Sequence, residues 1–540
     1  MRESGTVEET SRPAARLDIV IVGAGFAGMY MLHRARGLGL AARAFEAGSG
    51  VGGTWYWNRY PGARCDVESM EYSYQFDEVL QQEWRWSERF ATQPEILRYA
   101  NHVADRFDLR KDIRFDTRVL AASFADGRWI VRTDKGDEVS AQFLVMATGC
   151  LSSANRPEIK GLDSFAGPVY HTGEWPHEEP DFAGKRVGVI GTGSSAIQSI
   201  PILAERARAL TVFQRTANYT VPARNAPLDA DFVTRIKADY PAFRARNSLQ
   251  INAFGSNLPR SSIPARELTP EKRRSALDAR WEYGGLFFLG AFGDLLLDKA
   301  ANDEAAEFVR EKIRGSVKDP GVARLLSPGQ IIGCKRLCVD TGYYATFNRP
   351  NVRLVDISAS GIDEIMPQGV RVNGASHELD ALVFATGFDA MTGTLLRIDI
   401  RGRDGKTLQD AWRAGPRTYL GLSVAGFPNL FLITGPGSPS VLTNMIVSIE
   451  QHVNWIADCI AYLGQHGRAT IEARPAAQEA WVEHVGTVAD RTLYPMCNSW
   501  YVGANIPGKK RVFMPLLGFP DYVRKCDEVV AKGYEGFDIP

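Results

Sequence analysis

Two clusters of glycines carry the first chemical signal in this chain. Gly23, Gly25 and Gly28 stand in GAGFAG, and Glu46 follows 18 residues after Gly28. Far downstream, Gly191, Thr192, Gly193, Ser194 and Ser195 open GTGSSAIQ, with Ala196 at the third small position. Glycines so spaced permit a tight turn, the close approach of a pyrophosphate, and packing of a helix on a strand. The helix that follows offers unpaired N–H groups and the positive end of its dipole to the phosphates. Glu46 can accept hydrogen bonds from a ribose diol. The second cluster leads instead to Arg215 and Thr216. An Arg there presents a planar charged fork that suits a 2′-phosphate. Two dinucleotide sites in one chain imply electron transfer from a nicotinamide to a flavin, with FAD in the first and NADPH in the second.

These residues need elements to hold them. DIVIV (18–22) reads as a buried parallel strand, MYMLHRARGLG as a helix, and AARAFEA as a second strand ending on Glu46. KRVGVI (185–190), a helix to about Ala209 and LTVFQ repeat that order. FLVMATG (143–149) and ALVFATG (381–387) read as strand-then-glycine crossovers between the two folds. Residues 226–330 are helical in pattern, apart from a Gly-, Ser-, Asn- and Pro-rich stretch at 247–270 that reads as a mobile loop. The expected fold is α/β, with two Rossmann-like dinucleotide-binding domains and a helical insertion in the NADPH domain. The expected boundaries are a disordered leader over 1–16, an FAD-binding domain over 17–150 and 388–540, an NADPH-binding domain over 151–225 and 331–387, and the insertion over 226–330.

Composition removes several function classes. Lys plus Arg equals Asp plus Glu, 63 against 63, so no global field draws nucleic acid or an anionic membrane. No run of about 18 apolar residues spans a bilayer. The polar, acid-bearing N-terminus lacks the apolar centre of a signal peptide. Seven scattered cysteines without CxxC read as reduced thiols of a cytoplasmic protein, and Cys334 and Cys338 as structural thiols. Eight dispersed histidines show no metal-ligand spacing. The expected state is a monomer or weak homo-oligomer.

Between the two folds, residues 165–176 read FAGPVYHTGEWP, and 52–66 read GGTWYWNRYPGARCD. The first fits FxGxxxHxxxWP and the second GGxWxxxRYPGxxxD. With them, the chain resembles the single-chain, FAD- and NADPH-dependent Baeyer–Villiger monooxygenases over nearly its whole length after the leader. YPGARCDVESMEYSY and GPGSPSVLTNM (435–445) resemble most the phenylacetone and steroid members, and the latter loop departs from the shorter cyclohexanone-type form. The resemblance implies that NADPH reduces FAD, that dioxygen adds to give a C4a-peroxyflavin, and that a ketone becomes an ester or lactone. Negative charge then develops on the attacking oxygen and on the former carbonyl oxygen, where a fixed cation lowers the barrier most.

The resemblance assigns that cation to Arg336, oriented by Asp66, which also lies beside the flavin. It adds Thr54, Trp55, Tyr72 and Met445 as FAD contacts, and Lys335, Arg336 and Trp500 as NADPH contacts. It gives His171 no acid–base task, and His171 reads as a hinge or packing residue. The implied substrates are aryl-alkyl, cyclic or steroid-like ketones. Three rivals are a heteroatom-oxidising flavin monooxygenase, a disulfide reductase and a non-turnover NADPH/FAD redox sensor. Trp175 and the Lys335–Arg336 pair speak against the first, and the lack of CxxC against the second.

Overall fold

The computed structural model describes residues 15–504, 506, 508 and 516–540, so residues 1–14 of the expected leader lie outside the described residues. The first strand runs Ala15–Val22 and begins before the apolar run does. Ala15 and Arg16 are in register with Val139 and Ser140, and this pairing extends the strand past the point where hydrophobicity fades. Ile19, Val20 and Ile21 are fully buried, as a strand covered on both faces requires.

Around that strand lies an eight-stranded sheet. Ala15–Val22 pairs in parallel with Ala42–Phe45 on one side and Glu138–Met146 on the other. The N-terminal half of Glu138–Met146 pairs antiparallel with Arg128–Thr133, and its C-terminal half pairs in parallel with Leu430–Leu432. The sheet thus takes strands from both ends of the chain. A second sheet is wholly parallel, in the order Val352–Asp356, Ala209–Gln214, Arg186–Ile190, Ala381–Phe384, Val169–His171. The two crossovers run side by side: Asn155 N–H donates to Gly387 O at 2.9 Å, and Met391 N–H to Cys150 O at 2.7 Å.

The helices of 226–330 do not all pack on one unit. Ala230–Ala238 and Tyr240–Ser248 lie against the first: Arg244 Nη1 donates to Glu71 O at 2.8 Å, and the Tyr240 hydroxyl to Met70 O at 3.0 Å. Lys299–Ser316 lies against the second, where Arg310 Nη1 donates to the Tyr219 hydroxyl at 2.8 Å. The irregular stretch between them is tied down, with Gly255 N–H donating to Glu71 Oε1 at 3.0 Å.

The long helix Met445–Gln465 closes the first unit by packing on Phe26–Gly37, with Tyr30 donating to Asn454 at 2.7 Å. It carries Glu450, 7 % exposed, whose Oε1 accepts the N–H groups of Gln75 at 2.8 Å and Phe76 at 3.1 Å. Burial outweighs those bonds and pushes the Glu450 pKa from 4.5 up to about 7. The folded chain therefore holds a proton that the unfolded chain has released across that window. The stability involved is present below pH about 4.5 and is lost as pH rises to about 7. Glu450→Gln keeps the acceptor without the charge. The variant is expected to match the parent at pH 4 and to exceed it by about 1–3 kcal/mol at pH 8. Urea midpoints of both proteins at the two pH values check this, and an equal difference at both would remove the assignment.

Candidate active site

Both glycine-rich turns open onto one cleft of about 1560 Å³ between the two sheets. The backbone leaves little freedom at the turns. A Cβ on Gly23 would lie 2.6 Å from Ala147 O, one on Gly28 1.9 Å from Gly23 O, and one on Gly191 2.4 Å from Ala385 O. A Cβ on Gly25 would lie 3.2 Å from Gly53 Cα, whereas one on Gly193 would meet nothing within 4 Å. The helices that follow, Phe26–Gly37 and Ser194–Arg206, start at Gly25 and Gly193 without a side-chain cap. Their first N–H groups remain for a ligand. Asp229, Asp239, Thr269, Asp298 and Asp319, by contrast, each cap a helix of the 226–330 region with their own side chains.

Glu46 stands just past its strand, 6 % exposed, on the cleft wall. Its carboxylate accepts Ala24 N–H at 2.8 Å and Gly48 N–H at 2.9 Å. Burial raises its pKa, and the two backbone donors counter that rise. Each oxygen keeps a lone pair for a ribose hydroxyl. Trp55 and Tyr72 line the cleft joined by an indole N–H donated to the phenol at 3.1 Å. Thr54 and Met445 line it as well, the latter as the first residue of its helix. These polar and aromatic groups, together with two uncapped helix starts, fit two bound dinucleotides.

At the second turn, Thr192 Oγ1 donates to Thr216 O at 2.7 Å, and the Ser195 hydroxyl meets that of Thr172 at 3.1 Å. Ser194, Arg215 and Lys335 line the same wall. Burial lowers the Lys335 pKa, and the charge of Arg215 lowers it further. Two cations that repel each other at a half-open wall favour an anion between them. Trp500 lines the cleft too, stacked edge-on to Tyr501 with ring centres 4.4 Å apart.

Arg336 is held as a fork. Its Nε and Nη2 donate to Asp66 Oδ2 and Oδ1, the latter at 2.9 Å, and Nη1 donates to Val441 O at 2.6 Å. Three of five N–H donors are thus committed, leaving two beside the cleft that Arg336 lines. Burial alone would lower the guanidinium pKa; the Asp66 carboxylate overrides that and raises it. The cation is permanent and its orientation fixed from two directions.

The signature segments act mostly through packing. Gly62, at φ +81°, presses its loop onto the helix Ser194–Arg206, where a Cβ would sit 2.3 Å from Gln198 O. The Tyr60 hydroxyl donates to Gln198 Oε1 at 2.8 Å, and Gln198 Nε2 to Arg64 O at 3.0 Å. This seam locks the Asp66 loop to the second unit, and a motif read along one strand of sequence does not reveal it. Trp175 is 4 % exposed and packs on Tyr170 and Phe182 away from the cleft. His171 accepts Gly173 N–H at 3.0 Å and meets the Thr386 hydroxyl at 3.2 Å, so it ties its own turn to the 381–387 crossover. Burial lowers its pKa.

One expectation is corrected. Cys334 and Cys497 form a disulfide, with Cα atoms 5.6 Å apart, so the chain does not carry only reduced thiols. The two residues are 163 positions apart, and only the packing of the 490–500 segment on the 331–337 loop brings them within bonding reach. Spacing rules such as CxxC detect neighbouring pairs and miss this one. Cys65, Cys150, Cys338, Cys459 and Cys526 are free and buried. Among the described residues no group of His, Cys, Asp and Glu could hold a metal ion, and no helix is long and apolar enough to cross a membrane.

Two dinucleotide turns on one cleft, with a fixed Arg between them, define an α/β oxidoreductase of the two-nucleotide class. Residues 20–242 match the family model described as pyridine nucleotide-disulphide oxidoreductase. That segment contains Cys65 and Cys150, both free, so the match carries nucleotide architecture and no redox dithiol. A Baeyer–Villiger monooxygenase of Pseudooceanicola batsensis is 44 % identical over 98 % of this chain and 97 % of its own. The solved structure of an oxidised steroid monooxygenase bound to NADP is 55 % identical, with a TM-score of 0.93 over 97 % of this chain and 99 % of that one. The structure of OTEMO in complex with FAD and NADP is 41 % identical, with a TM-score of 0.94 over 98 % and 100 %. The chain belongs to the Baeyer–Villiger monooxygenase family.

Proposed function

We propose that this chain is an FAD- and NADPH-dependent Baeyer–Villiger monooxygenase that converts aryl-alkyl, cyclic or steroid-like ketones to esters or lactones beside Arg336. The observation that carries this reading is the Arg336 fork, with two N–H donors left over on the wall of a cleft that both dinucleotide turns share. The chemistry that FAD reduced by NADPH would supply, when bound, is the activation of dioxygen for attack on the carbonyl carbon. Arg336 stabilises the negative charge on the attacking oxygen and then on the former carbonyl oxygen. Asp66 orients the guanidinium and keeps it from swinging away. Trp55, Tyr72 and Met445, which line the cleft, would hold the flavin, and Trp500 would lie toward the nicotinamide. Relatedness to a steroid monooxygenase at 55 % identity supports the steroid-like part of the substrate range. The enzyme is cytoplasmic and acts as a monomer or weak homo-oligomer.

The test is turnover of phenylacetone, cyclohexanone and a C20-keto steroid with FAD and NADPH, followed by chromatography. One ester or lactone per NADPH is the expected result; NADPH consumed with only hydrogen peroxide formed, for every ketone, would count against it.

Arg215 and Lys335 supply the charge for the 2′-phosphate. Arg215→Ala is expected to lower kcat/KM for NADPH by about 10- to 100-fold, the range of a charge-assisted bond, and to leave NADH nearly unchanged. Steady-state kinetics with both nucleotides checks it. Equal losses with the two would show that Arg215 does not read the phosphate.

A further inference from the structure

A second cavity, of about 220 Å³, lies behind Arg336 and shares Lys335, Arg336 and Val441 with the main cleft. Most of its wall is apolar, from residues such as Phe254, Phe287 and Leu289. Its charged residues are all cations: Arg260, Arg280, Lys335 and Arg336. None of its described lining residues is Asp or Glu.

The four cations are not equally balanced. Arg336 is paired with Asp66. Arg280 is held by neutral carbonyls, with Nη1 donating to Leu258 O at 2.9 Å and Nη2 to Pro259 O at 2.5 Å. Arg260 makes no hydrogen bond or ion pair with any described residue, though its Cα and Cγ pack against Gly290. Burial lowers the pKa of Arg260 and of Arg280, and the charge of Arg260 lowers that of Arg280 further. Half-buried cations without a counter-charge leave a positive potential in the cavity that favours an anion beside them.

We propose that this cavity binds the carboxylate end of a keto-acid substrate, with Arg260 as its partner and the ketone at Arg336. The inference rests on the Baeyer–Villiger reading and narrows its substrate class to ketones bearing an apolar chain or ring that ends in an anion. The apolar wall takes the chain, Arg260 takes the carboxylate, and Arg280 adds field without a competing carboxylate, while Lys335 faces the nucleotide phosphate.

The test uses FAD- and NADP⁺-loaded holoenzyme and a series of methyl-ketone carboxylic acids of increasing chain length, each paired with its methyl ester. At the length that spans the two Arg residues, the acid is expected to exceed its ester in kcat/KM by about ten-fold, as charge-assisted bonding allows. In Arg260→Met the ratio is expected to fall to about one, and in Arg260→Lys to recover in part. Calorimetry with a saturated fatty acid that carries no ketone should show binding that competes with the keto acid. Esters turned over as well as acids at every length, or an acid preference that survives Arg260→Met, would overturn the proposal. If Arg260→Met does not fold, the acid-to-ester ratio and the calorimetry on the parent enzyme still decide. Absence of ester product from any ketone would strike the Baeyer–Villiger reading itself, and fatty-acid binding would then report on the cavity alone.

Discussion

Arg336→Ala is expected to lower ester formation by about 100- to 1000-fold, the cost of removing one fixed donor from a site of developing negative charge. FAD should stay bound, because the first glycine turn, Glu46 and Trp55 are untouched. NADPH should still be consumed, with the oxygen lost as hydrogen peroxide. The loss has two sources. The two free N–H donors disappear from the cleft, and Asp66, whose side chain is 22 % exposed, loses the partner that its two oxygens share. Arg336→Lys separates them: it restores the charge but not the planar fork, so it should regain only part of the activity. Ester yield by chromatography, NADPH consumption and the flavin absorbance are the readouts. A flavin-loaded Arg336→Ala enzyme with the parent's ester yield would falsify the role.

Gly191→Ala is expected to slow reduction of the flavin by NADPH about 100-fold while leaving one FAD per chain. Gly191 sits at φ +112°, and its Cβ would meet the backbone of Ala385 at 2.4 Å. A backbone neighbour cannot rotate away as a side chain can, so the turn and the crossover at 385–387 must shift. Gly28→Ala, with a Cβ 1.9 Å from Gly23 O, should instead yield protein without flavin. The pair assigns one nucleotide to each turn. Stopped-flow reduction and the ratio of flavin to protein measure them. Normal reduction in Gly191→Ala, or full flavin content in Gly28→Ala, would reverse the assignment.

What could be read along the chain was local in origin. Gly23, Gly28 and Gly191 mark positions where the backbone itself excludes a Cβ, and such exclusion is written in residue type. The burial of Ile19, Val20 and Ile21 was legible as an apolar run, because a parallel strand hides both faces. Arg215 at the place of an acid was legible because the turn fixes its distance from the helix start. The start of the first strand was not, since Ala15 and Arg16 owe their extension to pairing with Val139 and Ser140.

The sequence alone therefore determined the two nucleotide folds, their order and the residue types at their turns, because backbone sterics and strand periodicity act over a few residues. Family likeness pointed to Arg336 and Asp66, but their joining was decided by tertiary structure. The ion pair closes across 270 residues, and its geometry exists only because Gly62 and Gln198 seat the Asp66 loop on the second unit's helix. The Cys334–Cys497 bond and the cation-lined cavity behind Arg336 have the same origin. Each depends on how remote segments pack, and packing of remote segments leaves no period or spacing for a reader of the sequence to find.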